Sequence, residues 1–253
     1  MTFKDHFSGH AGSYARYRPD YPAELFDYLA SIVPRHDLAL DCATGSGQAA
    51  VGLARHFECV VASDGSVPQL RSAQQHPRVA YVGNLAEQIA LRDASADLVV
   101  AAQAAHWFDH DRFHREVRRV LQPQGAIAIW TYGLANIDPG IDAVVHRFYE
   151  EVVGAHWPPE RRHVETAYRD LPFPWQDVPT PGFQLNLQWD LDSLIGYIGT
   201  WSATQRFLKA TGTDPLPALR ARLTACWNSP TTPRSVIWPL HLRVGRNPKG
   251  LSR

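Results

Sequence analysis

The stretch Leu38 to Ala54, LALDCATGSGQAAVGLA, joins an apolar strand to a helix through a turn of small residues. Its first five residues form a compact apolar run carrying Asp41, helical spacing resumes at about Gln48, and Ala43, Gly45 and Gly47 alternate in between. Small residues in such a turn let the backbone come close to a ligand. The free N–H groups that open the next helix favour a negatively charged group.

Outward from this unit the same alternation continues. Apolar runs predict strands over 38–42, 59–63, 79–82, 97–102 and 126–131, each of the kind buried on both faces. Helices are expected over 48–57, 67–74 and 111–121, with Pro123 and Gly125 closing the last, and over 22–32, where Pro22 suits a first helical turn. Strands alternating with helices signal a parallel sheet with crossover helices. After Tyr132 the texture changes to a long stretch rich in Pro, Trp and His, including Pro158, Pro159, Pro172, Pro174, Pro179 and Pro181. A loop of that length is expected to be functional or a lid. Alternating patterns over 184–191 and 236–244 predict two closing strands, an antiparallel pair at the sheet edge, with helical segments at 194–201, 203–211 and 216–227 between them. The expected architecture is a Rossmann-like, seven-stranded, mostly parallel sheet with helices on both faces, an antiparallel edge strand and a helical or loop lid insertion. One domain is expected over 1–253: a ligand-binding core at 33–133, a lid at 134–182, and closing strands and helices at 183–253.

Bulk composition narrows the function classes. The chain has 253 residues, 45% hydrophobic and 20% charged, with 25 basic against 25 acidic side chains. That balance gives no chain-wide field to attract nucleic acid or an anionic bilayer. The opening MTFKDHFSGH has no apolar core of a signal peptide, and no apolar run approaches a membrane span, so a cytoplasmic protein without membrane partners is expected. Cys42, Cys59 and Cys226 have no CxxC spacing; small buried hydrophobes are the simpler reading for the first two. His106, His110 and His114 recur every four residues, but the segment is expected to turn at Phe108 to Asp109, so no metal site is assigned.

Asp64 closes the second strand about twenty residues beyond the glycine turn, where αβ nucleotide folds place a carboxylate against ribose hydroxyls. An adenosine-containing ligand with an unphosphorylated ribose follows. A nicotinamide dinucleotide would want small residues at Ala43, Gly45 and Gln48, and Gln48 breaks that pattern. The acid followed by small residues at 43, 45 and 47 resembles motif I of class I S-adenosylmethionine-dependent methyltransferases, with Ala43 standing where the first glycine is usual. The run YVGNLAEQIALRDASADLVVAAQAAHWFD resembles the third-to-fourth-strand region of that family, and LQPQG at 121–125 the approach to its fifth strand. YARYRPDYP at 14–22, QAAHWFD at 103–109 and TWSA at 200–203 are similar to the type 11 subgroup related to trans-aconitate methyltransferase.

That resemblance implies S-adenosyl-L-methionine as cofactor and methyl transfer to a small-molecule acceptor, with O-methylation of a carboxylate or hydroxyl expected. By the same resemblance Asp41 organises the turn and the methionine end, Ala43, Gly45 and Gly47 line the ligand by backbone, Asp64 takes the ribose hydroxyls and Gly65 lies against adenine. Leu85, Ala86 and Glu87 match the adenine-contact position; Gln103 sits beside the methionine portion; Tyr14 and Arg18 close the pocket. His106 is the candidate base, able to titrate near neutral pH, or else a histidine fixing its loop. Trp107, Tyr132 and Trp201 are candidate walls of the substrate pocket, with core packing as the simpler alternative. Arg147, Arg161, Arg162 and Arg206 are candidates to clamp a carboxylate, and spacing does not choose among them. The competing readings are a protein that keeps the pocket as a sensor or scaffold without catalysis, and a nicotinamide dehydrogenase, which Gln48 disfavours.

Overall fold

A computed structural model describes residues 17–247. The central strand β1 (Leu38–Cys42) pairs in parallel with β2 (Cys59–Asp64) on one side and β4 (Ala96–Ala102) on the other; β3 (Val79–Gly83) continues beyond β2, and β5 (Leu121–Tyr132) beyond β4. Period-2 alternation explains why these strands read as unbroken apolar runs. Ala39, Leu98, Val100, Ala128 and Trp130 pack into the core on one face, and Leu40, Cys42, Val99, Ile127 and Ile129 into that on the other. Cys42 is a fully buried thiol whose pKa is pushed up, first by that burial.

Beyond β5 lies β8 (Arg234–Arg246), antiparallel to it, and two short strands lie end to end along the far side of β8. The first, β6 (Gln176–Val178), pairs with Val244–Arg246, and β7 (Phe183–Trp189) with Arg234–Leu240. Eight strands therefore fill seven positions, and the strand running against the others is one place in from the edge. β7 takes the edge because Gln184, Asn186 and Gln188 face solvent on one side, whereas Val236 and Trp238 of β8 are buried.

Helices α1 (Ala23–Ser31) and α2 (Gln48–Leu53) pack together so closely that a Cβ on Gly52 would stand 2.2 Å from the Phe26 ring. The short α3 (Val67–Arg71) follows β2, and α4 (His110–Val120) starts at Asp109, whose side chain accepts from the Arg112 N–H. The stretch after Tyr132, expected as a helical or loop lid, carries short helical pieces: α5 (Pro139–Arg147), a π turn (Phe148–Val152), a 3-10 turn (Gly154–His156) and α6 (Arg161–Glu165). Asp138 caps α5 through the Gly140 and Ile141 N–H groups, with Pro139 at its first position. Residues 168–175 are fastened to the sheet and α4: Arg243 donates to the carbonyls of Tyr168 and Leu171, Arg118 to that of Pro174, and His114 Nε2 to that of Pro172. Helices α7 (Leu191–Gly199), α8 (Ser202–Thr211) and α9 (Leu216–Trp227) fill the gap between β7 and β8. No helix among the described residues is long and apolar enough to cross a membrane.

Candidate active site

The C-terminal ends of β1, β2 and β4 meet at the glycine turn. Ala43, Gly45 and Gly47 adopt left-handed backbone (φ 54°, 56° and 84°), so the chain reverses within a few residues to start α2. Thr44 donates its hydroxyl to Asp41 Oδ2 at 2.5 Å, and the Gly45 N–H donates to Asp64 Oδ2 at 2.9 Å. The other oxygen of Asp64 accepts from the Ser66 N–H at 2.7 Å, across Gly65. Asp64 thus clasps the turns after β1 and β2, while helix α3 is capped by Ser66. A carboxylate oxygen accepts more than one hydrogen bond, so a bond to a ligand hydroxyl is compatible with these two.

Two features make this turn fit a ligand rather than close on itself. A Cβ on Gly45 would meet no described residue within 4 Å, leaving an open cradle beside the backbone. Asp41 is fully buried, yet its Oδ1 has no hydrogen-bond partner among the described residues. Burial, reinforced by the Asp64 charge, pushes the Asp41 pKa up to about 7 against the pull of the Thr44 hydroxyl and, more weakly, of the Ala50 N–H. A buried acceptor left bare calls for a donor or cation. Gly47 is glycine for a different reason: a Cβ there would stand 2.3 Å from the Tyr81 hydroxyl.

The other expected ligand contacts divide. Ala86 is buried and Leu85 half-buried. Glu87 is neither solvated nor fully available, because its Oε1 accepts from the Asp109 N–H at 2.8 Å and ties the loops after β3 and β4 together. Gln103, itself left-handed at φ 54°, donates Nε2 to the Tyr132 carbonyl and accepts from the Thr131 hydroxyl. Gln48, which spoils a dinucleotide fingerprint, holds the 18–20 segment over the turn by donating to the carbonyls of Arg18 and Pro19 and to Asp20. Arg18 stacks on Tyr197 at 5.4 Å. Tyr14 lies outside the described residues.

An inner cavity of about 50 Å³ brings together Arg18, Gln103, His106 and Trp107 with Trp157, Arg161, Tyr197 and Trp201. Among the described residues no carboxylate lines it. His106 Nδ1 is 2.8 Å from the Tyr168 hydroxyl, and burial, then the nearby Arg161, His163 and His110, push its pKa down to about 3. The expectation that His106 titrates near neutrality is therefore corrected: it is neutral there and a weak base. Tyr132 is likewise not a wall of this cavity; its buried ring stands edge-on to Trp238 at 6.3 Å. Trp107 and Trp201 do line it. His114 is committed to structure, accepting the Trp175 indole N–H on Nδ1 while Nε2 donates to Pro172. It therefore has no nitrogen left for a metal.

Of the four candidate arginines, only Arg161 reaches the inner cavity. Arg147 lies alongside Glu151 on an exposed face and Arg162 lines a separate outer cavity of about 420 Å³. Sequence reasoning did not single out Trp157, Tyr168 or Tyr197. Tyr168 follows Ala167 in left-handed backbone (φ 59° and 57°), which no local motif announces.

Comparison with known proteins agrees with this geometry. Residues 40–129 match the family model described as a methyltransferase domain. A Dictyostelium discoideum protein named as a candidate methyltransferase is 35% identical over 231 residues, covering 90% of this chain and 88% of that protein. An Anaeromyxobacter dehalogenans structure described as a candidate type II methyltransferase superposes with a TM-score of 0.84 at 47% identity, covering 91% of this chain and 98% of that one. The Bacillus subtilis YcgJ protein, at 20% identity and a TM-score of 0.51, shares the fold.

Proposed function

This chain belongs to the class I S-adenosylmethionine-dependent methyltransferases, and we propose that it binds S-adenosyl-L-methionine at the Ala43–Gly47 turn and methylates an oxygen of a small-molecule acceptor in the inner cavity. The observation that carries the cofactor assignment is the open cradle at Gly45 next to the bare, buried Oδ1 of Asp41. Asp41 would meet the amino end of the cofactor, Asp64 its ribose, Gly65 with Leu85 and Ala86 the adenine, and Gln103 with Arg18 the methionine portion. The bound cofactor supplies a methyl group already activated on sulfonium sulfur.

The chain's own part is then to bind, orient and dry the acceptor. Positioning a nucleophile about 3 Å from the reacting carbon and excluding water supply most of the rate. The aromatic walls Trp107, Trp157 and Trp201 exclude water. Gln103 is locked by Thr131 and Tyr132 and so cannot drift. Among carboxylate and hydroxyl acceptors the cavity favours the carboxylate. With His106 pushed down to about 3 and no carboxylate in the lining among the described residues, none of those lining side chains is suited to strip a proton from a hydroxyl, and a carboxylate needs no base.

The inner cavity has room for a few waters only, so the acceptor enters by displacement of its walls. Residues 148–160, between the fastened segment 168–175 and α5, are the part of the 134–182 insertion that we assign the lid role. A labelled-methyl assay over carboxylate and hydroxyl acceptors tests the whole reading. Label released as methanol on mild alkali marks a methyl ester, alkali-stable label marks an ether and overturns the carboxylate preference, and binding without any transfer favours a sensor.

A further inference from the structure

The inner and outer cavities share one wall. Trp157, Pro158 and Arg161 line both, so this short stretch stands between the 420 Å³ outer space and the inner cavity. Arg161 is held in a fixed pose there. Its guanidinium lies over the Trp157 ring at 4.6 Å and the Tyr149 ring at 5.4 Å, and its Nε donates to the Tyr149 hydroxyl at 2.9 Å. That hydroxyl in turn donates to Glu165, which engages the carboxylate without an ion pair to Arg161. The terminal Nη groups of Arg161 donate to no described residue.

A guanidinium stacked on aromatic faces is weakly hydrated and pre-oriented, and its free edge matches a carboxylate. The inner cavity it borders also carries the Arg18 guanidinium, and among the described residues its lining holds no carboxylate, whereas Glu150 and Glu165 line the outer one. A cationic acceptor would be repelled by the two guanidinium groups, and an anion is drawn to them. Resting on the methyl-transfer reading of this cavity, we infer that Arg161 is a specificity-determining residue, selecting acceptors that carry a carboxylate and holding that group as it passes from the outer cavity to the inner one. A single Nη–H donated to one carboxylate oxygen leaves the other oxygen bare, so anchoring by Arg161 and methylation of the same carboxylate are compatible.

The test uses phenylacetate, 3-phenylpropanoate and fumarate, each beside its own amide, titrated against intrinsic tryptophan fluorescence, since Trp157 lies under the guanidinium. Titrations are run with and without saturating S-adenosylhomocysteine. In the wild-type chain at least one carboxylate is expected to bind tenfold or more tightly than its amide. R161Q and R161M are expected to lose that preference by tenfold or more, leaving amide binding and S-adenosylhomocysteine affinity unchanged; R161K is expected to retain part of it. Carboxylates that bind no better than their amides, or not at all, overturn the inference, as does an R161Q chain that still discriminates. The wild-type comparison stands even if a variant fails to fold. Failure to bind S-adenosylhomocysteine instead defeats the methyl-transfer reading, and the titrations without it then report on Arg161 alone.

Discussion

Acid should loosen the insertion from the sheet, and His114 sets where. Its ring is buried between α4 and the 172–175 segment with both nitrogens in use: Nε2 donates to the Pro172 carbonyl at 3.0 Å and Nδ1 accepts the Trp175 indole N–H at 2.9 Å. Burial disfavours the charged ring, and against the pull of the Pro172 carbonyl, with His110, Arg118 and Arg243 adding to the effect, the pKa is pushed down from 6.5 to about 4. Between those two values the unfolded chain carries the proton and the folded chain does not. Stability is therefore fully present above pH 6.5 and is lost as the pH falls towards 4. At about 1.4 kcal/mol per pKa unit the loss amounts to about 3 kcal/mol from this side chain. Urea unfolding followed by tryptophan fluorescence at pH 7 and pH 4 measures it. H114Q keeps a donor for Pro172 but does not titrate, so its acid loss should be smaller than that of wild type by about 3 kcal/mol. His106, pushed down to about 3, adds an acid loss that both proteins share. An H114Q chain that loses as much stability on acidification as wild type refutes the assignment.

Three further outcomes follow from single contacts. G45A places a methyl group at a left-handed residue that faces open space; it should cost about 1–2 kcal/mol of stability in urea and weaken S-adenosylhomocysteine binding measured by calorimetry, because the methyl fills the cradle. G52A drives a Cβ to 2.2 Å from the Phe26 ring and should lower stability by about 1–3 kcal/mol with little change in ligand affinity per folded molecule; an unchanged melting temperature would contradict the α1–α2 packing. R161Q removes a cation that depresses His106, so the His106 ring should titrate at higher pH than in wild type when followed by nitrogen-15 chemical shifts.

The first half of the fold was legible because its strands are buried on both faces, which writes them as uninterrupted apolar runs with small turns at their ends. The β1 strand begins and ends as expected, and β2 closes on Asp64, as its place beyond the glycine turn implied. Which parts of the insertion are helical was not legible, since its prolines dominated the reading. Asp138 followed by Pro139 is in fact an N-cap and first-turn pair, the one local sign that α5 begins there. At the site, the glycine turn and Asp64 could be read from spacing. The state of His106 could not, because the segment that buries it contributes Tyr168, sixty-two residues later. Nor could Arg161 be told from Arg162 beside it; which of the two faces inward depends on how a single helical turn, α6, is seated between the cavities.

The most direct measurement is a calorimetric titration of S-adenosylhomocysteine into wild-type chain and into D64A, both shown folded by circular dichroism. One site per chain is predicted for wild type, with affinity at least tenfold lower in D64A, since the ribose hydroxyls lose a charged acceptor and the Gly45 N–H its anchor. No heat from a folded wild type, or equal binding by the two proteins, would contradict the cofactor site proposed here.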